Sequence, residues 1–205
     1  MGAGRTDAGV HARQIFAHFE YDQNIEIDTM LFKINNFLPN DIAVKDLFRV
    51  NDKTHARFDA TGRTYKYYIS LGKDPFRSTV AMKCFKDPDV NLMNQAAAKL
   101  IGKQDFECFA RAHSDVKTFF CDVTKAEWYQ KEQMLIFTIT ADRFLRNMVR
   151  AVVGTLLDVG LHKTSLKDFE AIMASKDRSK AGASAAAHGL FLEKVTYPDH
   201  IKNYE

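Results

Sequence analysis

No apolar run in this 205-residue chain approaches the roughly 20 residues needed to cross a bilayer, and the N-terminus lacks the basic-then-apolar layout of a secretory signal. A cytoplasmic location with no membrane attachment is the resulting expectation. Cysteine is scarce: Cys84, Cys108 and Cys121 form no CxxC pair and are odd in number, so neither a disulfide framework nor a zinc knuckle is indicated. They read as reduced thiols. Charge of one sign is not in large excess either, since 29 Lys and Arg against 26 Asp and Glu leave a net +3. That balance permits a nucleic-acid partner without demanding one. The phosphate-cradling string GxxxxGK[ST] is missing. In the GxGxxG register starting at Gly2, Asp7 stands where the third glycine belongs and no strand precedes it. A nucleotide-using transferase therefore lacks the loop that would hold its nucleotide. No internal repeat is present.

What remains is an ordinary globular composition, 46% hydrophobic and 27% charged, in a chain long enough to bury a proper core. The aromatic, apolar segment Gln14 to Phe19 predicts a strand, and so do Ile42 to Val50 and Thr64 to Ser70. Asp28, as N-cap, opens a helix that runs through Phe37 and stops before Pro39. Gly72, Asp74 and Pro75 cluster in the stretch Leu71 to Pro75, which divides the chain into a lobe over 1–74 and a second over 75–205. Beyond it, Val90, Met93, Ala97, Leu100 and Ile101 recur at helical spacing between Asp89 and the helix-stopping Gly102. Val123 to Tyr129 and Leu135 to Thr140 read as a hairpin around the polar turn Gln130 to Gln133. A helix is predicted from Arg143 to Val159, and a third through Ala174 after the capping pair Ser165 and Asp168. The alanine-rich run Ala181 to Ala187 is either a connecting segment or a helical turn, and Gly189 to Thr196 closes the chain as a strand. Strands and helices mix in both halves, which points to an α+β architecture with an antiparallel sheet.

The most informative stretch is Gly2-Ala-Gly-Arg-Thr-Asp-Ala-Gly-Val-His11, whose three glycines let a ligand approach the main chain closely and display Arg5 and Asp7 from a constrained loop. An aspartate between glycines ordinarily bonds its own backbone in a turn. The longer string GRTDAGVHA, however, resembles the signature of the TruA family of tRNA pseudouridine synthases. Further similar motifs follow in the family's order: Asn36 to Val44, His55 to Ile69, Phe144 to Arg150, and Gly189 to Leu192. The resemblance spans essentially the whole chain. It implies two ferredoxin-like lobes sharing a mostly antiparallel sheet, helices packed on that sheet, and an active-site cleft between the lobes. Asp7 would be the catalytic carboxylate, Tyr65 the residue touching the target uracil, Arg150 the guanidinium beside Asp7, and Leu190 an apolar wall. The implied activity converts uridine to pseudouridine at positions 38–40 in the anticodon arm of tRNA, with a homodimer holding the tRNA and no cofactor or metal. Members of the family carry a strand and a helix ahead of this loop, with a Tyr-Asp-Gly and a Gly-Trp-Gln segment. Their absence here predicts either a start further upstream or a shortened chain with an exposed sheet edge. A second reading, a tRNA-binding remnant without catalysis, follows from that same departure.

The chemistry suits these residue types. Pseudouridine formation breaks the N1–C1′ bond, turns the uracil and joins C5 to C1′ before the C5 proton leaves, so it is redox-neutral. A carboxylate can serve as nucleophile at C1′ or C6 or as a base at C2′, and the sequence leaves these open. A cationic neighbour would keep it ionised. Arg143, Arg146 and Arg150 recur at i, i+3 and i+7 and, if helical, would line one face able to track phosphates. Lys53, Arg57, Arg63 and Lys66 surround Tyr65 in a basic, aromatic-interleaved segment suited to RNA. A target base in a structured arm must be swung out, and Arg5 could fill the space it leaves or hold the adjacent phosphate. His11 and His55 show no ligand-like spacing and read as structural or RNA-contacting.

Overall fold

The computed structural model describes residues 1–111 and 116–202. Its centre is the long strand β2 (Gly62–Leu71), where Thr, Tyr and Ile favour the pleated conformation. β2 pairs antiparallel with β6 (Met134–Ala141) on one side and with β7 (Leu190–Thr196) on the other. β6 continues into β5 (Phe120–Lys131), and β5 into the short β4 (Gly102–Asp105), again antiparallel. Two short parallel pairings complete a seven-stranded sheet: β1 (His11–Ala12) beside β7, and β3 (Met82–Cys84) beside the end of β2. The architecture is α+β, as the mixture of elements suggests.

Alternation along β2 and β6 sorts side chains between the two faces. Tyr67 and Ile69, with Leu135, Phe137 and Ile139, turn to one face and are fully buried. They pack with Met93, Ala96 and Ala97 of α2 (Val90–Ala98) and with Met148, Val152 and Leu156 of α3 (Met148–Gly160). Phe169 of α4 (Leu166–Ser175) joins the same core. Lys66 and Tyr68 turn to the opposite face, where Met134 and Ile136 pack with Ala81 and Tyr68.

Local signals locate several of these elements well. Asp89 caps α2 by accepting a bond from the Leu92 N–H at 2.9 Å, and Ser165 with Asp168 forms the reciprocal capping box of α4. The β5–β6 hairpin turns on Glu132 and Gln133, with Glu132 in the left-handed region at φ 53°. Gly102 also takes a left-handed φ, of 99°, but it opens β4 four residues after α2 has ended at Ala98. The helix α1 spans Ile27–Phe37, so Asp28 lies in its first turn while Glu26 takes the cap position without a side-chain bond.

Three expectations are corrected. Gln14 to Phe19 forms no strand of the main sheet. It folds back on the opening residues through one bridge, Gly2 to Ala17, with the Ala3 N–H donating to Phe16 O at 2.7 Å. Ile42 to Val50 forms no strand, and the Asn35 amide of α1 stands in for a strand partner, donating to Val44 O and accepting from Val44 N–H at 2.8 Å each. Aromatic and β-branched composition makes a segment fit for a strand, but only a neighbouring edge makes it one. The third correction concerns α3, which begins at Met148 rather than Arg143. Asn147 at φ 66° breaks the chain direction, so Arg143 and Arg146 lie in the approach to the helix and share no helical face with Arg150.

Candidate active site

Asp7 sits on a turn closed by the Val10 N–H donating to Asp7 O at 3.2 Å, with Gly9 at φ 81° supplying the left-handed step. Directly after this turn, β1 seats the chain against β7, and the Arg13 N–H donates to Leu192 O at 2.9 Å. A second anchor comes from Arg63 on β2. Its guanidinium donates to the carbonyls of Ala60, Asp142, Ala3 and Arg57 at 3.0, 2.9, 3.4 and 2.6 Å. The Asp7 loop is thus held at its start by β2 and at its end by β7.

Arg150, in the first turn of α3, donates from Nη1 to Asp7 Oδ2 at 2.7 Å. The two side chains are only 21% and 25% exposed, which places the pair in a setting where charge-assisted bonds count for more than at a wet surface. Arg150 also donates from Nε to Ala185 O at 2.7 Å, so two of its nitrogens are committed in different directions. Among the described residues, Asp7 Oδ1 takes no protein hydrogen bond, leaving one carboxylate oxygen fixed and the other available.

Tyr65, on β2, packs its ring edge-on against Phe144, with centroids 5.1 Å apart. Burial pushes its hydroxyl above the ordinary tyrosine range; Arg63 opposes the rise and the Asp7 carboxylate adds to it. Tyr65 therefore keeps its proton through neutral pH. Leu190 is 5% exposed and pairs in register with Tyr67, whose hydroxyl donates to Ala186 O at 2.8 Å. Of the sequence-predicted residues, Asp7 and Arg150 are joined directly, and Tyr65 stands on β2 against Phe144.

The basic residues divide. Arg5 is exposed and, among the described residues, makes no ion pair, while the partner of Asp7 is Arg150. Arg57 is exposed over the Phe58 ring, and Arg146 is exposed on the turn before α3. Arg143 is half-buried, its backbone N–H bonded to the Asp142 carboxylate at 2.6 Å. Lys66 points to the face opposite Tyr65 and pairs with Glu193 at 3.2 Å, and Arg13 reaches the same carboxylate. Arg63 spends four N–H groups on carbonyls and is a brace of the site's framework. The histidines are likewise absorbed locally: His11 stacks on Phe191 and His55 Nδ1 accepts from the Arg57 N–H. Among the described residues, no three His, Cys, Asp or Glu side chains gather as a metal-binding group.

Two contributors were not singled out from sequence. Phe144 fixes the Tyr65 ring, a role signalled only by its place beside Arg150 in one motif. The alanine-rich run holds Arg150, a role that its small side chains do not advertise.

A carboxylate bonded by a guanidinium at 2.7 Å, with a protonated tyrosine on β2 of the same sheet, is an arrangement able to support nucleophilic or general-base chemistry. A family model described as tRNA pseudouridine synthase matches residues 96–198. The tRNA pseudouridine synthase A of Bacteroides fragilis is 49% identical over 203 residues, covering 98% of this chain and 81% of that protein. The proteins of the same name from Parabacteroides distasonis and Bacillus licheniformis are 48% and 38% identical, over 98% and 96% of this chain and 80% and 81% of their own lengths. The chain belongs to the tRNA pseudouridine synthase family, whose members are isomerases. Among the described residues, no helix is long and apolar enough to cross a membrane.

Proposed function

We propose that this chain isomerises uridine to pseudouridine in the anticodon stem-loop of tRNA, at positions 38–40, with Asp7 as the catalytic carboxylate. The observation that carries the reading is the 2.7 Å contact between Arg150 Nη1 and Asp7 Oδ2. Arg150 fixes one carboxylate oxygen in direction. Oδ1 then meets an everted uridine, either as nucleophile at C1′ or C6 or as base at C2′. The N1–C1′ bond breaks, the uracil turns, C5 joins C1′, the C5 proton leaves and N1 takes one up, so the atoms of substrate and product balance without an electron carrier. Tyr65, held by Phe144 and neutral at working pH, can stack on the uracil and hydrogen-bond to it, with Leu190 in the apolar wall behind. Arg5, Arg57, Arg143 and Arg146 supply positive charge for the RNA backbone around the site. Lys66 would reach RNA only on the other sheet face. The two-lobed division at 1–74 and 75–205, a homodimer holding one tRNA across both subunits, and a cytoplasmic setting belong to the same reading.

The test is direct. The purified chain is incubated with unmodified tRNA and pseudouridine is mapped, in parallel with Asp7→Ala. Product at the anticodon arm, abolished in the variant while tRNA affinity is retained, is the expected result. Equal turnover by the variant removes Asp7 from the mechanism, and tRNA binding without product from the unaltered chain identifies a binding protein that has lost catalysis.

A further inference from the structure

Residues 181–186 run as a strap across α3. The helix comes so close that a Cβ at Gly154 would lie 1.8 Å from Ala183 O. Gly182 donates its N–H to Thr155 Oγ1 at 2.9 Å, and this hydroxyl, fully buried, donates to Ala151 O at 2.8 Å. Ala185 grips Arg150 twice: its N–H donates to Arg150 O at 2.9 Å, and its carbonyl accepts from Arg150 Nε at 2.7 Å. The direction in which Arg150 presents Nη1 to Asp7 is therefore set by where the strap lies.

The strap's own course is held by a residue outside it. Arg178, in the short turn Arg178–Lys180, donates from Nη1 to Ala181 O and Gly182 O at 3.3 and 3.1 Å, and from Nη2 to Ser184 Oγ at 2.8 Å. Ser184 Oγ also accepts from Asn147 Nδ2 at 2.7 Å, and Asn147 is the left-handed residue that starts α3 three positions before Arg150. One guanidinium thus spans three groups of the strap, and its serine ties them to the root of the helix that carries Arg150. A planar fork with donors in fixed directions can do this; a single ammonium cannot.

We infer that Arg178, acting through Ser184 and Ala185, is a positioning residue that orients Arg150 toward Asp7. The inference rests on the reading of Asp7 and Arg150 as the catalytic pair. It assigns work to a residue with no contact to that pair.

The experiment measures single-turnover conversion and tRNA affinity for Arg178→Met, Arg178→Lys and Ser184→Ala, at a temperature where circular dichroism shows each fully folded. Arg178→Met should lower the conversion rate about tenfold with tRNA affinity unchanged, and lysine should recover only part of the loss. The deciding measurement is Arg178→Met in an Arg150→Met background. If Arg178 works through Arg150, its substitution there lowers the rate by less than about twofold. A full tenfold loss in that background, or an unaltered rate in the single variant, overturns the inference. Should Arg178→Met fail to fold, Ser184→Ala is taken through the same two backgrounds with the same criteria. Asp7→Ala, run alongside, separates the two levels: residual turnover there defeats the underlying reading of the site, whatever the Arg178 variants do.

Discussion

Arg150 holds two partners with two different nitrogens, and that division makes its replacement by lysine and by methionine unequal. Methionine keeps most of the apolar stem but removes both bonds, leaving the Asp7 carboxylate and the Ala185 carbonyl without their donor. A hydrogen bond to a charged group contributes about 1.5–3 kcal/mol and one to a neutral carbonyl about 1. With both side chains roughly three-quarters buried, little of this is returned by water. A loss of about 3 kcal/mol in holding the carboxylate corresponds to about a hundredfold in rate, at roughly 1.4 kcal/mol per decade. Lysine keeps the charge and can satisfy Asp7 or Ala185, not both, so its deficit is about 1 kcal/mol, or about fivefold. Because the C5 hydrogen leaves during the reaction, tRNA carrying tritium at uridine C5 releases label to water with each turnover, and this release follows the rate. The expected order is arginine, then lysine, then methionine, with tRNA affinity nearly constant. If Arg150→Met released tritium within about twofold of the unaltered chain, the pair would be an ion pair of the framework alone, and the electrostatic reasoning would fail.

Arg63→Met tests the brace of the Asp7 loop: two of its four bonds are part-buried, and at about 1.5 kcal/mol each the loss is about 3 kcal/mol. At about 2–4 °C per kcal/mol for a chain of this size, the melting temperature should fall by about 6–12 °C, and an unchanged midpoint by calorimetry would show that the four carbonyls are satisfied otherwise. The tyrosines give a pH signature. Burial raises the hydroxyls of Tyr65, Tyr67 and Tyr197, three of the seven tyrosines in the sequence. Their folded-state values lie above the unfolded value of about 10, so the stability they contribute is intact below that pH and is lost as pH rises through the folded values. Phenolate absorbance of the native protein should show these three ionising late and together with alkaline unfolding, whereas a single native-state step for all seven would contradict their burial.

Signals with a range of a few residues were legible in the sequence. The capping box at Ser165 and Asp168, the Asp89 cap and the hairpin at Glu132 and Gln133 each depend on atoms close along the chain. Gln14 to Phe19 and Ile42 to Val50 have strand composition, yet a strand is a pairing, and composition does not name the partner. The α3 boundary was misplaced because Asn147 takes a left-handed backbone and its side chain bonds Ser184 of the strap, a contact 37 positions away that local composition does not show. The strap itself looks like filler for the same reason that it works. Alanine and glycine are what permits an approach as close as that of Ala183 to Gly154, and neither carries a chemical label. Arg63 and Lys66 illustrate the remaining gap: basic residues three apart in one strand, one turned inward to carbonyls and the other to a carboxylate on the far face.

The site's central contact joins residues 143 positions apart, and its geometry is therefore a property of the finished sheet. Asp7 is located by β1, which has only two residues and gains its position from β7. Arg150 is located by the strap, which leads directly into β7 through Ala187–Gly189. Both halves of the pair are thus referred to the one strand that forms last along the chain, and that strand is held by β2, the strand carrying Tyr65. At Gly189 there is no room for error, since a Cβ would meet the Tyr67 ring at 2.8 Å and Tyr68 O at 2.9 Å. The docking of β7 against β2 therefore fixes the framework to which carboxylate, guanidinium and tyrosine are all attached. A chain in which that docking is incomplete would keep most of its core, built from β2, β5, β6 and the helices, and still have no assembled site.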